Sequence, residues 1–120
     1  MTHLKDYNSG RTLLVVDGNY IRDYLSGRFI YSIKSDRVVE YATGLAVYTF
    51  DSETVKDYYS GKRLLTITNS QVKSYSSGKI IASYDSSTIK DYSSGKILYK
   101  IDGFLSKREM VTILAILFAV

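Results

Sequence analysis

The chain has no cysteine, no proline, no tryptophan and one histidine, His3. Without cysteine there is no disulfide, no thiolate nucleophile and no Cys-ligated metal. That fits a reducing, cytoplasmic setting. Without proline no strand is denied a ladder hydrogen bond, which suits a chain built almost entirely of paired strands. A lone histidine near the N-terminus supports no Ser/His/Asp constellation. The chain also lacks a P-loop, a G-x-G-x-x-G turn and an H-E-x-x-H helix, so no cofactor is implied. No apolar run approaches the ~20 residues of a membrane span, and no N-terminal segment reads as a secretory signal.

What the chain does have is tyrosine, twelve in 120 residues, with many Val, Ile, Thr and Ser. This is a β-rich composition, and the length is that of one domain, residues 1–120. The net charge is +4, with Lys and Arg spaced evenly along the chain. Even spacing is a mild bias and not by itself a nucleic-acid footprint.

Self-similarity organises the sequence. Gly10, Gly27, Gly44, Gly61, Gly78 and Gly95 are spaced by seventeen residues. Three residues before each stands a tyrosine: Tyr7, Tyr24, Tyr41, Tyr58, Tyr75 and Tyr92. Aliphatic residues open each unit (Leu4, Ile21, Val38, Val55, Val72, Ile89) and follow each Gly by three (Leu13, Ile30, Val47, Leu64, Ile81, Leu98). Such a period is the mark of a repeat architecture. In residues 1–105 each of six units reads as a β-hairpin, for example Thr54–Tyr58 and Lys62–Thr68. A three-residue x-S-G loop joins the strands, with Gly in a positive-φ turn and G1 bulge. The second links (D-G-N, K-S-D, D-S-E, T-N-S, D-S-S) are turn formers. Twelve strands follow, in an antiparallel meander.

That register places Tyr58 opposite Lys62, and Lys56 opposite Leu64. The other face then carries Val55, Asp57, Arg63, Leu65 and Ile67 in this unit. Across the units it gathers Val16, Ile33, Phe50, Ile67, Tyr84 and Ile101, and Leu14, Tyr31, Tyr48, Leu65, Ala82 and Tyr99. This is the more apolar face and the expected interior, and a one-residue slip would exchange the two faces. The Leu13-type residues then form an outer belt against tyrosines and lysine stems.

The last fifteen residues, SKREMVTILAILFAV, differ from the rest. Ser106 and Glu109 have the spacing of a capping box, and a helix follows from Lys107 to Val120. It is apolar all round, so it belongs inside protein or in lipid. A buried core helix is the first reading; a membrane-inserting tail and a disordered or partner-bound tail are the others. An open sheet of twelve strands would expose two edges and an apolar face. A closed barrel around the helix resolves both problems, and at about 4.8 Å spacing and 35–40° tilt its radius is roughly 11 Å. A fan or propeller leaves the helix without a place, and a flat sheet or solenoid would use it as a cap.

This order of elements, twelve strands and then the hydrophobic helix 106–120, resembles the tubby-like barrels: the tubby C-terminal domain, the LURP-one proteins and the phospholipid scramblases. The resemblance covers the whole chain at the level of architecture and matches no motif. It implies a twelve-stranded barrel around a C-terminal helix and a peripheral membrane protein that recognises anionic lipid.

Three sets of residues are candidates for function. Asp6, Asp23, Glu40, Asp57 and Asp91 recur at one repeat position, with Ser74 breaking the series. They would ring one rim as a cation site, or each would accept hydrogen bonds in its own turn. Lys56, Lys62, Lys73, Lys79, Lys90 and Lys96 belong to two basic belts interleaved with tyrosine. They are candidate contacts for nucleic acid or an anionic lipid surface, or a solvated wall, its Lys paired to Asp, that keeps strands from sticking. The third unit replaces its basic residues with Val39 and Leu45. With Tyr41 and Val47 these make a candidate surface for self-association or a protein partner, or they are repeat drift. Every conspicuous polar residue recurs five or six times, whereas catalysis needs one asymmetric site. The sequence therefore points to a non-catalytic interaction module.

Overall fold

A computed structural model describes residues 1–51 and 53–119. The strands are β1 (Thr2–Asp6), β2 (Thr12–Asp17), β3 (Tyr20–Asp23), β4 (Phe29–Lys34), β5 (Arg37–Glu40) and β6 (Ala46–Phe50). They continue as β7 (Thr54–Asp57), β8 (Arg63–Ile67), β9 (Gln71–Ser74), β10 (Ile80–Tyr84), β11 (Thr88–Asp91) and β12 (Ile97–Asp102), before helix α1 (Lys107–Phe118). Each strand pairs antiparallel with its neighbours, and β1 pairs with β12, so the twelve strands close into a barrel. Closure removes the two sheet edges, the demand that the short strands impose. The molecule is a disc of 35 × 34 × 20 Å.

The closing seam is held by His3 opposite Asp102 and Asp6 opposite Tyr99, by the Tyr7 N–H donating to Leu98 O, and by a 3.1 Å ion pair between Lys5 and Asp102. The same tyrosine bond recurs round the ring. Tyr24, Tyr41, Tyr58, Tyr75 and Tyr92 donate to Leu13, Ile30, Val47, Leu64 and Ile81, each at 3.0–3.1 Å.

The loops differ from the three-residue expectation. In β7–β8 the Asp57 N–H donates to Lys62 O at 2.8 Å, and the Gly61 N–H donates to Asp57 O at 3.0 Å. The loop is therefore four residues, Tyr58 to Gly61, and Lys62 faces Asp57 rather than Tyr58. The equivalent pair of bonds forms in all six hairpins. A bulge then restores the phase: Lys56 opposes Arg63 while Val55 opposes Leu65. The body of the hairpin keeps the expected register, and the interior face is the expected one. The bulge turns Arg63, expected inside, to the exposed surface.

Leu4, Ile21, Val38, Val55, Val72 and Ile89 are 0–2% exposed. Val16, Ile33, Phe50, Ile67 and Ile101 form a second buried layer. Tyr84 at the same repeat position is half-buried, its hydroxyl donating to Thr68 O. Ile30, Val47, Leu64 and Ile81 lie half-buried against this core.

Helix α1 starts at Ser106, whose side chain accepts from the Glu109 N–H at 3.2 Å while Glu109 Oε1 accepts from the Ser106 N–H at 2.8 Å. The capping box is as expected. Met110 to Ala115 are buried and join the strand residues in one apolar core. Thr112 satisfies its hydroxyl on Arg108 O at 2.9 Å, the local bond by which a hydroxyl is tolerated in a core. The expected helix end, Val120, and Ser52 of the expected D-S-E turn lie outside the described residues.

Candidate functional site

At the hairpin rim the recurrent carboxylates are occupied by their own loops. The Ser9 N–H and hydroxyl donate to Asp6 Oδ2 at 2.9 and 2.8 Å. The same pair forms at Asp57 with Ser60 and at Asp91 with Ser94. Asp23 receives the Ser26 N–H. Glu40, longer by one methylene, takes only the Thr43 hydroxyl, at 3.0 Å. These bonds favour the charged form and hold the carboxyls of Asp6, Asp23, Asp57 and Asp91 below their ordinary range. Among the described residues no group of three or more His, Asp or Glu side chains is placed to hold a metal ion. Each acid is a loop staple.

The outer wall of the barrel divides into two halves. On one side Tyr20, Phe29 and Tyr41 form a ring cluster. Tyr20 stacks on Phe29 with centroids 4.9 Å apart, and Tyr41 meets Phe29 edge-on at 5.2 Å. All three are exposed, by 37–49%, as is Leu45 at 53%. Ser32 and Val39, paired across β4 and β5, point to the same side yet are only 4% and 5% exposed. Tyr20 stands directly opposite Ser32 across β3 and β4.

Of the four residues expected to form a contact surface, Tyr41 and Leu45 present themselves to solvent. Val47 is half-buried against the core, and Val39 is buried. Val39 and Leu45 line one groove of about 540 Å³ with Arg37, Tyr58 and Tyr59, where the Arg37 guanidinium lies 5.2 Å from the Tyr58 ring centre. Tyr20 and Phe29 were missed. They occupy outward-facing repeat positions held elsewhere by His3, Arg37, Thr54, Gln71 and Thr88, and by Thr12, Ala46, Arg63, Ile80 and Ile97. Aligning those two columns would have revealed the two rings as the aromatic exceptions.

On the other side, Lys56, Lys73 and Lys90 stand on β7, β9 and β11, opposite Thr49, Thr66 and Ser83. All three are half-buried, their stems lying along the wall. Lys62, Lys79 and Lys96 close the loops at the rim and are exposed. The two levels of lysine expected from the sequence are therefore distinct, one mid-wall and one at the rim. Arg63 joins them, its guanidinium 5.5 Å from the Tyr75 ring centre and its Nη1 donating to the Tyr75 hydroxyl at 3.2 Å.

His3 packs its ring 6.0 Å from that of Tyr24. Among the described residues no helix is long and apolar enough to cross a membrane. No protein family, no curated protein and no solved structure matches the chain.

Proposed function

We propose that the chain is a non-catalytic interaction module, in which six hairpin units wrap the C-terminal helix and the wall they form is the working surface. Two contacts support a helix running through the barrel from end to end. Near its start, Arg108 Nε donates to Ser35 O at 2.8 Å, in the link between two hairpins. Past its last turn, Ala119 O receives the Tyr48 hydroxyl at 3.5 Å, and Tyr48 faces Asp57 at the opposite rim. With its interior filled, such a barrel has only its surfaces left for binding.

The exposed cluster of Tyr20, Phe29 and Tyr41 is the observation that carries the reading. Its occupant, in this proposal, is a second copy of the chain. A two-fold contact needs one self-complementary patch, and stacked rings are well suited to one. Charge favours the same arrangement. Residues 54–100 carry eight Lys and Arg against three carboxylates, a net +5, and the other residues carry eight against nine, a net −1. Pairing through the aromatic side joins the near-neutral halves and keeps the basic halves apart. Sedimentation equilibrium from 1 to 200 μM should show a monomer–dimer equilibrium that Phe29→Ser abolishes without loss of the thermal melt. A mass that stays monomeric at every concentration would sink the proposal. The lipid reading has weaker support, because the lysines are carried round a curved wall and a flat bilayer meets only one or two of them.

A further inference from the structure

The basic half of the wall has a property that the even spacing of Lys and Arg along the chain conceals. Three ion pairs form among the described residues: Lys5 with Asp102, Arg22 with Asp17, and Arg37 with Asp36. None uses a cation from residues 54–100, although that stretch carries the whole net charge of the protein. Its own acids are committed elsewhere. Asp57 and Asp91 staple their loops, and Asp85 accepts from the Ser87 and Thr88 N–H groups at 2.8 Å. Among the described residues, Lys56, Arg63, Lys73, Lys90 and Lys100 on this wall form no ion pair within 4.0 Å. Tyr58, Tyr75 and Tyr92, each 37–50% exposed, stand along one edge of the same wall.

We infer that this half of the wall binds single-stranded nucleic acid. The cations repeat on every second strand, about 10 Å apart at the ~4.8 Å strand spacing. A row of this kind tracks a backbone and reads no sequence. Thr49, Thr66 and Ser83, directly opposite the mid-wall lysines, add hydroxyl donors for phosphate oxygens. The tyrosines supply rings on which unpaired bases stack, the second half of sequence-tolerant single-strand recognition. Arg63 against Tyr75 shows the two chemistries already in contact. Curvature selects the class of polyanion. The barrel is a disc 20 Å thick, so its wall is a narrow convex band. A flexible strand can follow such a band, whereas a plane touches it along one line. A bare polyanion would use the lysines and ignore the rings. This surface lies on the other half from the dimer patch, so the two proposals can fail separately.

The test is fluorescence anisotropy of a labelled oligo-dT or oligo-U 20-mer with the full-length protein at 50 and 200 mM salt. Unlabelled polyphosphate and vesicles with 30% anionic lipid serve as competitors. Binding should weaken with salt, and Lys56→Gln/Lys73→Gln/Lys90→Gln should flatten the log–log salt slope by about 2, at ~0.7 per phosphate contact for single strands. Tyr75→Ser/Tyr92→Ser should lower affinity at least fivefold and leave the slope unchanged. Lys34→Gln/Lys107→Gln, outside the basic half, should do neither. Each variant is first shown to melt like the parent. No binding at 50 mM salt overturns the inference. So does competition by polyphosphate with affinity indifferent to the tyrosines, or capture by the vesicles in preference to the oligonucleotide.

Discussion

Gly61 and Gly103 show how differently one residue type is used. Gly61 sits at φ +70° with no atom beyond its own chain neighbours within 4 Å of where a Cβ would be, so an alanine there meets only backbone strain. Gly61→Ala should cost about 1–2 kcal/mol in urea denaturation. Gly103 sits at φ +123°, and its Cβ would come within 2.9 Å of Thr2 Oγ1 and 3.2 Å of Thr2 Cα. Thr2 is buried beside the closing seam, its hydroxyl donating to Phe104 O. Gly103→Ala should therefore destabilise more than Gly61→Ala, because strain is added to a clash with backbone. Equal midpoints for the two variants would mean that the seam yields freely. The carboxylates give a pH dependence of definite sign. Asp6, Asp23, Asp51, Asp57, Asp85, Asp91 and Asp102 all titrate below their ordinary value in the folded chain, chiefly through hydrogen bonds. A lowered folded pKa adds stability above the ordinary carboxylate pKa of about 4, and that stability is lost as pH falls through the folded values. Melting temperature should be flat from pH 7 to about 5 and fall below about 4. Asp57→Asn should blunt the fall.

At the scale of the element, a helix wrapped by the hairpins, as proposed, is the part on which the others depend. Val111, Ile113 and Leu114 are 0–3% exposed and Met110 7%. At ~1.5–3 kcal/mol for each large apolar side chain buried, these four rival the ~5–15 kcal/mol stability of a typical domain. A chain ending at Glu109 should show no cooperative melt by circular dichroism. Leu114→Ala, at 0% exposure, should fold with a loss of about 2–5 kcal/mol. An unchanged melt for the truncated chain would place the helix outside the core. Much of this element scale was legible in the sequence, since the capping box at Ser106 and the all-round apolar run after it need no tertiary information. The hairpins were legible in the body of each strand, where Val55 faces Leu65, and misread at the tip. There Asp57 takes the closing pair with Lys62 because Ser60 staples its carboxylate, and the bulge at Leu64 repays the extra loop residue. A loop lengthened by one and a bulge of one cancel in the hydrophobic pattern. Periodicity alone cannot see either. The ring cluster escaped for another reason: it joins Tyr20 and Phe29 of the second unit to Tyr41 of the third, and a reading unit by unit does not compare across that boundary.

For the whole molecule, if the units wrap the helix as proposed, their number and the girth of the helix set each other. Twelve strands close at a radius of roughly 11 Å, and ten would close at roughly 9–10 Å, with tilt unchanged. A helix with its side chains is ~10–12 Å across, so a layer of inward-facing strand residues around it needs about the twelve-strand radius. Deleting residues 71–87 removes one unit in phase, joining Ser70 to Thr88 as Ser87 joins it now. The ten-stranded product should overpack around the helix and lose its cooperative melt. Duplicating the same seventeen residues should give fourteen strands and a slack interior: a folded chain with a lower melting temperature that binds a hydrophobic dye. Loss should therefore be worse than gain, because overlapping atoms cannot be relieved and a void can be partly refilled. Equal melting temperatures for the parent, the deletion and the duplication would show that the ring sets its own size. The helix would then be a passenger in the barrel and not its gauge.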